Sequence, residues 1–247
     1  MRAFSKTDKG KKREMNQDYV YTSDTPVGNL PNLYILADGM GGHNAGDYAS
    51  RCTVQTITAS VAADENTAPI AIIKDAVQRA NEEILEKAST DIDLEGMGTT
   101  VVIATVIEHT LYVANVGDSR LYLVRNGLQQ LTKDHSFVQE MVRRGEIDAK
   151  EARVHPDRNI ITRAIGGSKK MEVDFFEEEL KQGDRILMCS DGLTDMIEDD
   201  EIYRVLVCAD DTQQGVERLV DTANENGGND NITVIIIEPF QSEVKIC

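Results

Sequence analysis

The sequence predicts an α+β fold in which antiparallel β-sheets are flanked by α-helices. Its β-branched and apolar runs come in hairpin-like pairs, and those at 99–107 and 110–116 are separated only by a short polar break. Asn126-Gly127 is a strong signal for a hairpin turn. Amphipathic stretches are grouped between these runs, which disfavours a regular βαβ arrangement. The 247 residues show no linker or internal repeat, so we expect one domain over 1–240 and a tail at 241–247.

Periodicity assigns the individual elements. Short apolar runs bounded by turn residues predict strands at 20–22, 33–37, 99–107, 110–116, 121–124, 128–131, 185–189 and 232–237. Segments with one apolar face predict helices at 46–62, 70–88, 198–207 and 212–226. In the second of these helices, Ile73, Val77 and Ile84 fall on one face, and Pro69 supplies a start signal.

Charge and composition exclude several classes of function. The net charge is −17, from 43 acidic and 26 basic residues, and such a field repels nucleic-acid phosphates and anionic lipids. We therefore expect neither nucleic acid nor a membrane as a partner. The four cysteines form no C-x-x-C pair and have no histidine at zinc-ligand spacing, so neither a disulfide framework nor a zinc site is expected. This cysteine usage and the polar, basic first 15 residues favour a cytoplasmic location.

Aspartates stand at the edges of the apolar strands, most of them beside Gly or Asn. They are Asp18, Asp38, Asp118, Asp191 and Asp230. A carboxylate next to a buried strand is poorly solvated, and several together repel one another unless cations lie between them. Such oxygen ligands suit hard cations such as Mg²⁺ or Mn²⁺. Each aspartate alone is better explained as a turn residue, but the five together favour a metal site.

The glycine-rich segment 38–46 follows one of these strands. It lacks the lysine of a P-loop and the glycine spacing of a dinucleotide site, which disfavours nucleotide binding. Its glycines would let the backbone approach a metal or a substrate closely. A plain turn explains the same composition, so both interpretations stay open.

A set of eight motifs, in order along nearly the whole chain, resembles the metal-dependent protein phosphatase family, also called PPM or protein phosphatase 2C-like, in its compact bacterial form. The motifs are 7–10 (TDKG) with 13–18 (REMNQD), 37–42 (ADGMGG), 98–100 (GTT), 116–120 (VGDSR), 131–136 (LTKDHS), 162–166 (TRAIG), 190–195 (SDGLTD) and 230–233 (DNIT). Any one of these motifs alone carries little information, whereas eight in order are highly specific.

This resemblance implies a β-sandwich of two antiparallel sheets flanked by α-helices, a four-layer α-β-β-α arrangement with metals at one end. It also implies a small flap subdomain, here called the flap, at about 134–165, which is charged, helix-like and interrupted at His155-Pro156. The implied activity is hydrolysis of phosphoserine and phosphothreonine in proteins, which reverses a bacterial Ser/Thr kinase. A catalytically inactive relative that binds phosphoprotein or metal is the alternative, and an acidic scaffold whose aspartates are only turn residues is a third.

The resemblance further implies a role for each candidate site residue. Asp38 would bridge two Mn²⁺ or Mg²⁺ ions, which would share a hydroxide that attacks phosphorus in line. Arg13 would bind the substrate phosphate, which its planar guanidinium suits. The remaining expected metal-site residues are Gly39 through its carbonyl, Asp191 and Asp230 at the first ion, Asp18 through water near the second, and Asp118 with Asp191 and Asp195 at a weaker third ion.

Two features near the expected site are less determined by the sequence. Many relatives outside the bacterial group have a histidine directly after the Asp-Gly pair, where this sequence has Met40. His43 follows three residues later. It could protonate the leaving group, it could hydrogen-bond within the loop, or metal-bound water could supply the proton. The flap carries several arginines, which could remain solvated or could together recruit an acidic phosphopeptide; they are Arg143, Arg144, Arg153, Arg158 and Arg163. Nothing in the sequence indicates an obligate oligomer, so we expect a monomer.

Overall fold

The computed structural model describes residues 1–42 and 45–240. His43 and the predicted tail at 241–247 lie outside the described residues. The strands of the described chain are β1 Arg2–Asp8, β2 Asp18–Ser23, β3 Leu33–Met40, β4 Gly98–Thr99, β5 Val101–Ile107, β6 Thr110–Val116, β7 Arg120–Val124, β8 Leu128–Gln130, β9 Asp174–Glu179, β10 Arg185–Cys189 and β11 Ile232–Glu238. The helices are α1 Ala45–Ala63, α2 Pro69–Thr90, α3 Phe137–Arg144, α4 Ala149–Val154, α5 Asp191–Thr194, α6 Asp199–Cys208 and α7 Thr212–Glu225, with a 3₁₀ turn at Ile92–Leu94.

The strands form two antiparallel sheets. The first sheet has the order β1-β11-β10-β7-β8, and the second has the order β2-β3-β5-β6-β9 with β4 paired to β3. Helices α1 and α2 cover the second sheet, and α6 and α7 cover the first. The four layers are therefore helix, sheet, sheet and helix, as predicted.

Strand β3 explains why the central strands read as continuous apolar runs. Successive side chains of a strand point to opposite faces of its sheet. Ile35 and Ala37 pack against α1 and α2, whereas Tyr34 and Leu36 pack between the two sheets. Both faces are buried, and burying an apolar side chain stabilises the fold by about 1.5–3 kcal/mol. The sandwich thus holds the strand ends, and the aspartates on them, in fixed relative positions.

The flap folds as two short helices on a narrow base. Ser136 caps α3 by accepting a hydrogen bond from Gln139 N, and Asp148 forms a capping box with Glu151 at the start of α4. Helix α4 ends before His155, at the break that the sequence predicted. A bridge between Ser136 and Ile161 closes the base of the flap.

Strands β1 and β9 were not predicted from the sequence. Both are edge strands, at the outer margins of the first and second sheets respectively. Their sequences, RAFSKTD and DFFEEE, are polar and lack long apolar runs. Each is sustained by pairing with a buried neighbour, β11 or β6, and charged residues are typical of exposed sheet edges. A local pattern search therefore misses them.

Among the described helices, none is long and apolar enough to cross a bilayer.

Candidate metal centre

The predicted carboxylates meet at one end of the sandwich, where the two sheets adjoin. Asp18 opens β2 and lies directly opposite Asp38 of β3 in the second sheet. Asp191 follows β10 and Asp230 precedes β11, so both belong to the first sheet. Ser190 Oγ donates to Asp18 Oδ2 at 2.9 Å and so links the two sheets at this point. The site is assembled from strand ends far apart in sequence.

Three of the carboxylates have an oxygen that is buried and without a hydrogen-bond partner within the described chain. They are Oδ1 of Asp18, Oδ1 of Asp118 and Oδ1 of Asp191. An unpartnered buried carboxylate oxygen is costly, and three in one region require a positive partner. Oxygen-only donors of this kind fit hard divalent cations. The residues present therefore fit the metal ions that the motifs imply.

The electrostatics of the same carboxylates agree with this assignment. Burial raises the pKa of Asp38 and of Asp191 well above the usual range, and repulsion from the other carboxylates raises each further. Burial likewise raises the pKa of Asp18 to about 6 and that of Asp118 to about 7. Like charges crowded in a desolvated site disfavour ionisation. A cation bound there would reverse that effect.

Asp38 is fixed through its backbone. Its N–H donates to Thr100 Oγ1 at 3.0 Å, and its carbonyl accepts from Thr99 Oγ1 at 2.8 Å and from Thr100 N at 2.8 Å. A Cβ on the next residue, Gly39, would lie 2.0 Å from the carbonyl oxygen of Gly46. The glycine-rich segment is therefore a close backbone approach beside the site, which favours that interpretation over a plain turn.

Asp230 is paired with Arg13 in this structure. Arg13 Nη2 lies 2.6 Å from Asp230 Oδ2, and Asp230 Oδ1 accepts the N–H of Asn231 at 2.8 Å. The hydrogen bond to Asp230 is the main reason that the pKa of Arg13 is raised, and the charges of Asp191 and Asp38 add to it. About half of the Arg13 side chain is exposed. Arg13 thus faces the carboxylates and solvent at once.

No ready-made metal cluster of three or more His, Cys, Asp or Glu side chains occurs among residues 1–42 and 45–240. The carboxylates influence one another's pKa, but they do not form a closed set of ligands. The pairing of Asp230 with Arg13 accounts for part of this, since it directs one carboxylate toward a cation of the protein itself. A ligand set can close around an ion by small side-chain rotations, so the unpartnered oxygens remain available to a cation.

Asn231 and Ser190 organise the site, although the sequence assigned them no role. The side chain of Asn231 donates to the carbonyls of Lys9 and Met15, both at 2.9 Å, and accepts from Gln17 N at 2.8 Å. It therefore holds the loop that carries Arg13 against the start of β11. Ser190 Oγ also accepts from Thr233 N at 3.0 Å. Both residues are buried next to candidate ligands. The only signal for them in the sequence was that each is a polar residue adjacent to the aspartate of its motif.

Asp195 lies at the border between this centre and the flap. Its Oδ2 is 3.5 Å from Arg158 Nε. Arg153 donates to the carbonyl of Thr194 at 2.8 Å and pairs with Glu198. Between the flap and α5 lies a cavity of ≈ 490 Å³, lined by residues that include Asp118, Asp191 and Asp195 on one side and Lys150, Arg153 and Arg158 on the other. The cavity is an open approach to the carboxylates.

Each flap arginine has an acidic partner within the protein. The pairs are Arg143–Glu140, Arg144–Glu146, Arg153–Glu198, Arg158–Asp195 and Arg163–Asp174. Paired cations attract an external anion less than free ones. The flap is therefore less basic toward a ligand than its arginine count indicates, which weakens the idea of joint phosphopeptide recruitment. His109 stacks on Phe240 with ring centroids 5.0 Å apart, at the opposite end of β6 from Asp118.

Comparison with known proteins gives consistent results. A model of the protein phosphatase 2C family matches residues 7–233. The serine/threonine phosphatase stp of Listeria monocytogenes is 41% identical over 245 residues, which cover 96% of each chain. The structure of serine/threonine phosphatase Stp1 from Staphylococcus aureus has a TM-score of 0.89 at 36% identity, covering 96% of this chain and 94% of that one. The catalytic domain of serine threonine protein phosphatase PstP, solved with two manganese ions, has a TM-score of 0.83 at 35% identity, covering 95% and 96%.

The matches confirm the resemblance that the motifs indicated, since one family model spans nearly all of them. The likeness to solved phosphatases also confirms the predicted fold class. By sequence and by architecture, the chain belongs to the protein phosphatase 2C family.

Proposed function

We propose that this protein is a metal-dependent phosphatase that hydrolyses phosphoserine and phosphothreonine in other proteins. The observation that carries the proposal is the meeting of five buried or half-buried aspartates, three of them with an oxygen that has no partner among the described residues, at the junction of the two sheets. Membership of the family over nearly the whole chain makes the protein a phosphoprotein phosphatase and favours an active enzyme over an inactive relative. The retention of every candidate carboxylate also disfavours an acidic scaffold.

The metal ligands proposed here are those that the resemblance to the family implies. Asp38 lies among the other carboxylates and would contact two ions, with the carbonyl of Gly39 beside it. Asp191 and Asp230 would complete the first site, and Asp18 would hold water near the second. Asp118, which faces the flap cavity with Asp191 and Asp195, would contribute to a weaker third site. Divalent ions bound there would neutralise phosphoryl charge and activate water for attack.

Arg13 is the candidate for binding the substrate phosphate. Its guanidinium has five N–H donors, and in this structure its contact to Asp230 uses one nitrogen. The remaining donors are free to bind two phosphate oxygens in a bidentate manner. Its half-exposed position between carboxylates and solvent places it at the entrance. Asp18 Oδ1, which has no hydrogen-bond partner among the described residues, is available to accept a hydrogen bond from an attacking water.

The leaving alkoxide needs a proton. His43 remains a candidate donor because its imidazole titrates near neutral pH, although it lies outside the described residues. Water bound at the centre is the alternative donor. Replacing His43 by Gln separates them: a loss of activity that is larger for poor leaving groups than for p-nitrophenolate indicates general acid catalysis by His43.

A direct assay tests the proposed activity. Purified protein should hydrolyse a phosphothreonine peptide and p-nitrophenyl phosphate with Mn²⁺, and excess chelator should abolish this. Asp38→Asn should be inactive, while Asp221→Asn, at an exposed carboxylate paired with Lys6, should match the wild type. Activity that survives complete metal removal, or that survives in Asp38→Asn, contradicts the mechanism. Inactivity of the wild type with every divalent ion favours the inactive relative.

The cellular setting belongs to the same proposal. A bacterial Ser/Thr protein kinase would generate the phosphoproteins on which the enzyme acts. Manganese is the favoured ion because a relative was solved with it, and magnesium suits the same oxygen ligands. We further propose a monomer acting in the cytoplasm. Phosphoproteomic comparison of cells with and without the protein would identify the substrates and the opposing kinase.

A further inference from the structure

His135 joins the base of the flap to the turn that carries Asp118. Its backbone N–H donates to the carbonyl of Gly117 at 3.0 Å, and its Nδ1 accepts the N–H of Gly117 at 3.0 Å. One residue thus holds both backbone polar groups of Gly117. On the flap side, the carbonyl of His135 accepts from Thr162 N at 2.8 Å. The side chain is 8% exposed, so these contacts are shielded from water.

The contacts of the imidazole define its tautomer. Because Nδ1 accepts a hydrogen bond from Gly117, the ring proton must be on Nε2. Nε2 lies 3.2 Å from Asp174 Oδ2, which can accept that proton in a hydrogen bond, and 2.9 Å from Nη1 of Arg163, which finds no acceptor on the ring in this tautomer. Asp174 is held in turn by Arg163, whose Nη1 donates to Oδ1 at 2.7 Å. This carboxylate–imidazole–amide chain fixes the ring in one orientation, as outer carboxylates do for metal-ligating histidines.

The turn at Gly117 needs such support. Gly117 has φ +108°, and a Cβ there would lie 2.6 Å from the side chain of Thr100. The next residue is Asp118, whose Oδ1 is buried and has no hydrogen-bond partner in the described part of the chain. The orientation of its carboxylate therefore depends on how the Gly117 peptide is held. His135 bonds both backbone polar groups of Gly117 and also bonds to the flap, whereas Asn115 Nδ2 donates only to the Gly117 carbonyl, at 3.3 Å.

We propose that His135 is a positioning residue, which sets the Asp118 carboxylate for the third metal site and transmits the position of the flap to it. The inference rests on the proposed function, because Asp118 has its role only in that reaction. His135 touches neither the substrate nor the ions in this scheme. Its contribution is geometric, through the two hydrogen bonds to Gly117.

Two substitutions separate this role from general packing. In His135→Asn, Oδ1 falls near the place of Nδ1 and can still accept from Gly117 N, whereas His135→Leu fills the space without an acceptor. We expect His135→Leu to weaken the weakest Mn²⁺ site and to lower kcat by on the order of 10-fold or more, the usual effect of losing an outer partner. The two tighter Mn²⁺ sites and KM for p-nitrophenyl phosphate should change little. His135→Asn should restore most of both losses.

The readouts are a Mn²⁺ binding isotherm from the electron paramagnetic resonance of free Mn²⁺, the hydrogen exchange of the Gly117 amide, and steady-state kinetics. His109→Leu, an exposed histidine at the far end of β6, is the matched control and should equal the wild type. Asp174→Asn tests the same chain at a partly exposed site, where misfolding is a smaller risk; it should speed exchange at Gly117 and lower kcat.

The outcomes distinguish this inference from the proposed function. An inactive wild type would refute the proposed function, and the Gly117 exchange data would still report whether His135 holds the turn. An active wild type combined with unchanged Mn²⁺ binding, exchange and kcat in both His135→Leu and Asp174→Asn would overturn the positioning role. Equal losses in His135→Leu and His135→Asn would also overturn it, since they would indicate packing alone.

Discussion

Arg13 and Asp230 form an ion pair at 2.6 Å, although 217 residues separate them in sequence. The pair joins the proposed phosphate-binding residue to a proposed metal ligand. A phosphate entering the centre would compete with the Asp230 carboxylate for the same guanidinium, and a cation would compete with Arg13 for the same carboxylate. A cation bound to Asp230 should therefore free Arg13 for the phosphate, and a phosphate bound to Arg13 should free Asp230 for the cation. Each ligand should strengthen the binding of the other.

Replacing Arg13 should mainly weaken substrate binding. Hydrogen bonds to charged groups contribute about 1.5–3 kcal/mol, so Arg13→Ala should raise KM for a phosphothreonine peptide by roughly 10-fold to 100-fold. Steady-state kinetics at saturating Mn²⁺ provide the measurement. Lys12→Ala, the neighbouring exposed cation, should leave KM unchanged. A KM equal to that of the wild type in Arg13→Ala would remove Arg13 from the phosphate site.

Removing Asp118 should leave two ions bound and slow turnover. Asp118 lines the flap cavity together with Asp191 and Asp195. We expect Asp118→Ala to bind two Mn²⁺ ions normally and to lower kcat by at least on the order of 10-fold. Isothermal titration calorimetry gives the number of Mn²⁺ ions bound per chain, and steady-state assays give kcat. Full activity in this variant would exclude Asp118 from the catalytic centre.

The carboxylates should make the metal-free protein less stable. Burial and repulsion raise the pKa of Asp38 well above its usual range, so its charged form opposes folding when no cation is present. Asp38→Asn should raise Tm in chelator, and a gain on the order of 1 kcal/mol corresponds to roughly 2–4 °C for a chain of this length. In saturating Mn²⁺ the wild type should have the higher Tm, because only the wild type is stabilised by binding the ions. A lower Tm of the variant in chelator would contradict the repulsion.

The close backbone approach at Gly39 gives a paired test. A Cβ at Gly39 would lie 2.0 Å from the Gly46 carbonyl oxygen and 2.6 Å from that of Gln17, whereas a Cβ at Gly42 would meet nothing within 4 Å. Gly39→Ala should destabilise the protein by about 1–3 kcal/mol and impair Mn²⁺ binding. Gly42→Ala should be neutral in thermal unfolding. Similar Tm values for the two variants would show that the loop can relax.

His135 should also make stability depend on pH. Burial lowers the pKa of His135 below its unfolded value of 6.5, and Arg163 adds to the effect although Asp174 opposes it. The neutral ring is thus favoured in the fold, so its contribution is fully present above pH 6.5 and is lost as pH falls through the lowered pKa. Between pH 7.5 and 5.5, Tm of the wild type in chelator should fall more than Tm of His135→Asn. Parallel Tm curves would refute this assignment.

The sequence was sufficient for elements that are buried on both faces. Strands β3 and β11 are continuous apolar runs because each packs between a sheet and a helix layer, and such runs are visible locally. Edge strands β1 and β9 are polar and depend on a partner that lies elsewhere in the chain. No local window contains that partner, so their absence from the prediction has a physical cause.

The candidate site likewise contains residues that the local sequence predicted and residues that it did not. The positions of Asp38 and Asp191 were predictable because each stands at the end of an apolar run, LYILA at 33–37 or RILMC at 185–189. The role of Asn231 was not, since it contacts Gln17 across 214 residues. The pairing of Arg158 with Asp195 likewise depends on how the flap lies against α5. Local sequence thus indicates which groups carry the chemistry, and the tertiary fold decides what holds them.

The pairing of β1 with β11 has a consequence for synthesis on the ribosome. Arg2 lies opposite Glu238, and Asn231 closes the loop that carries Arg13. Non-local pairings of this kind form late, because distant segments must first be brought together. A nascent chain therefore emerges with Asp18 and Asp38 long before Asp230 exists. The phosphatase cannot act during its own translation, and activity begins only once β11 has left the exit tunnel and taken its place beside β1.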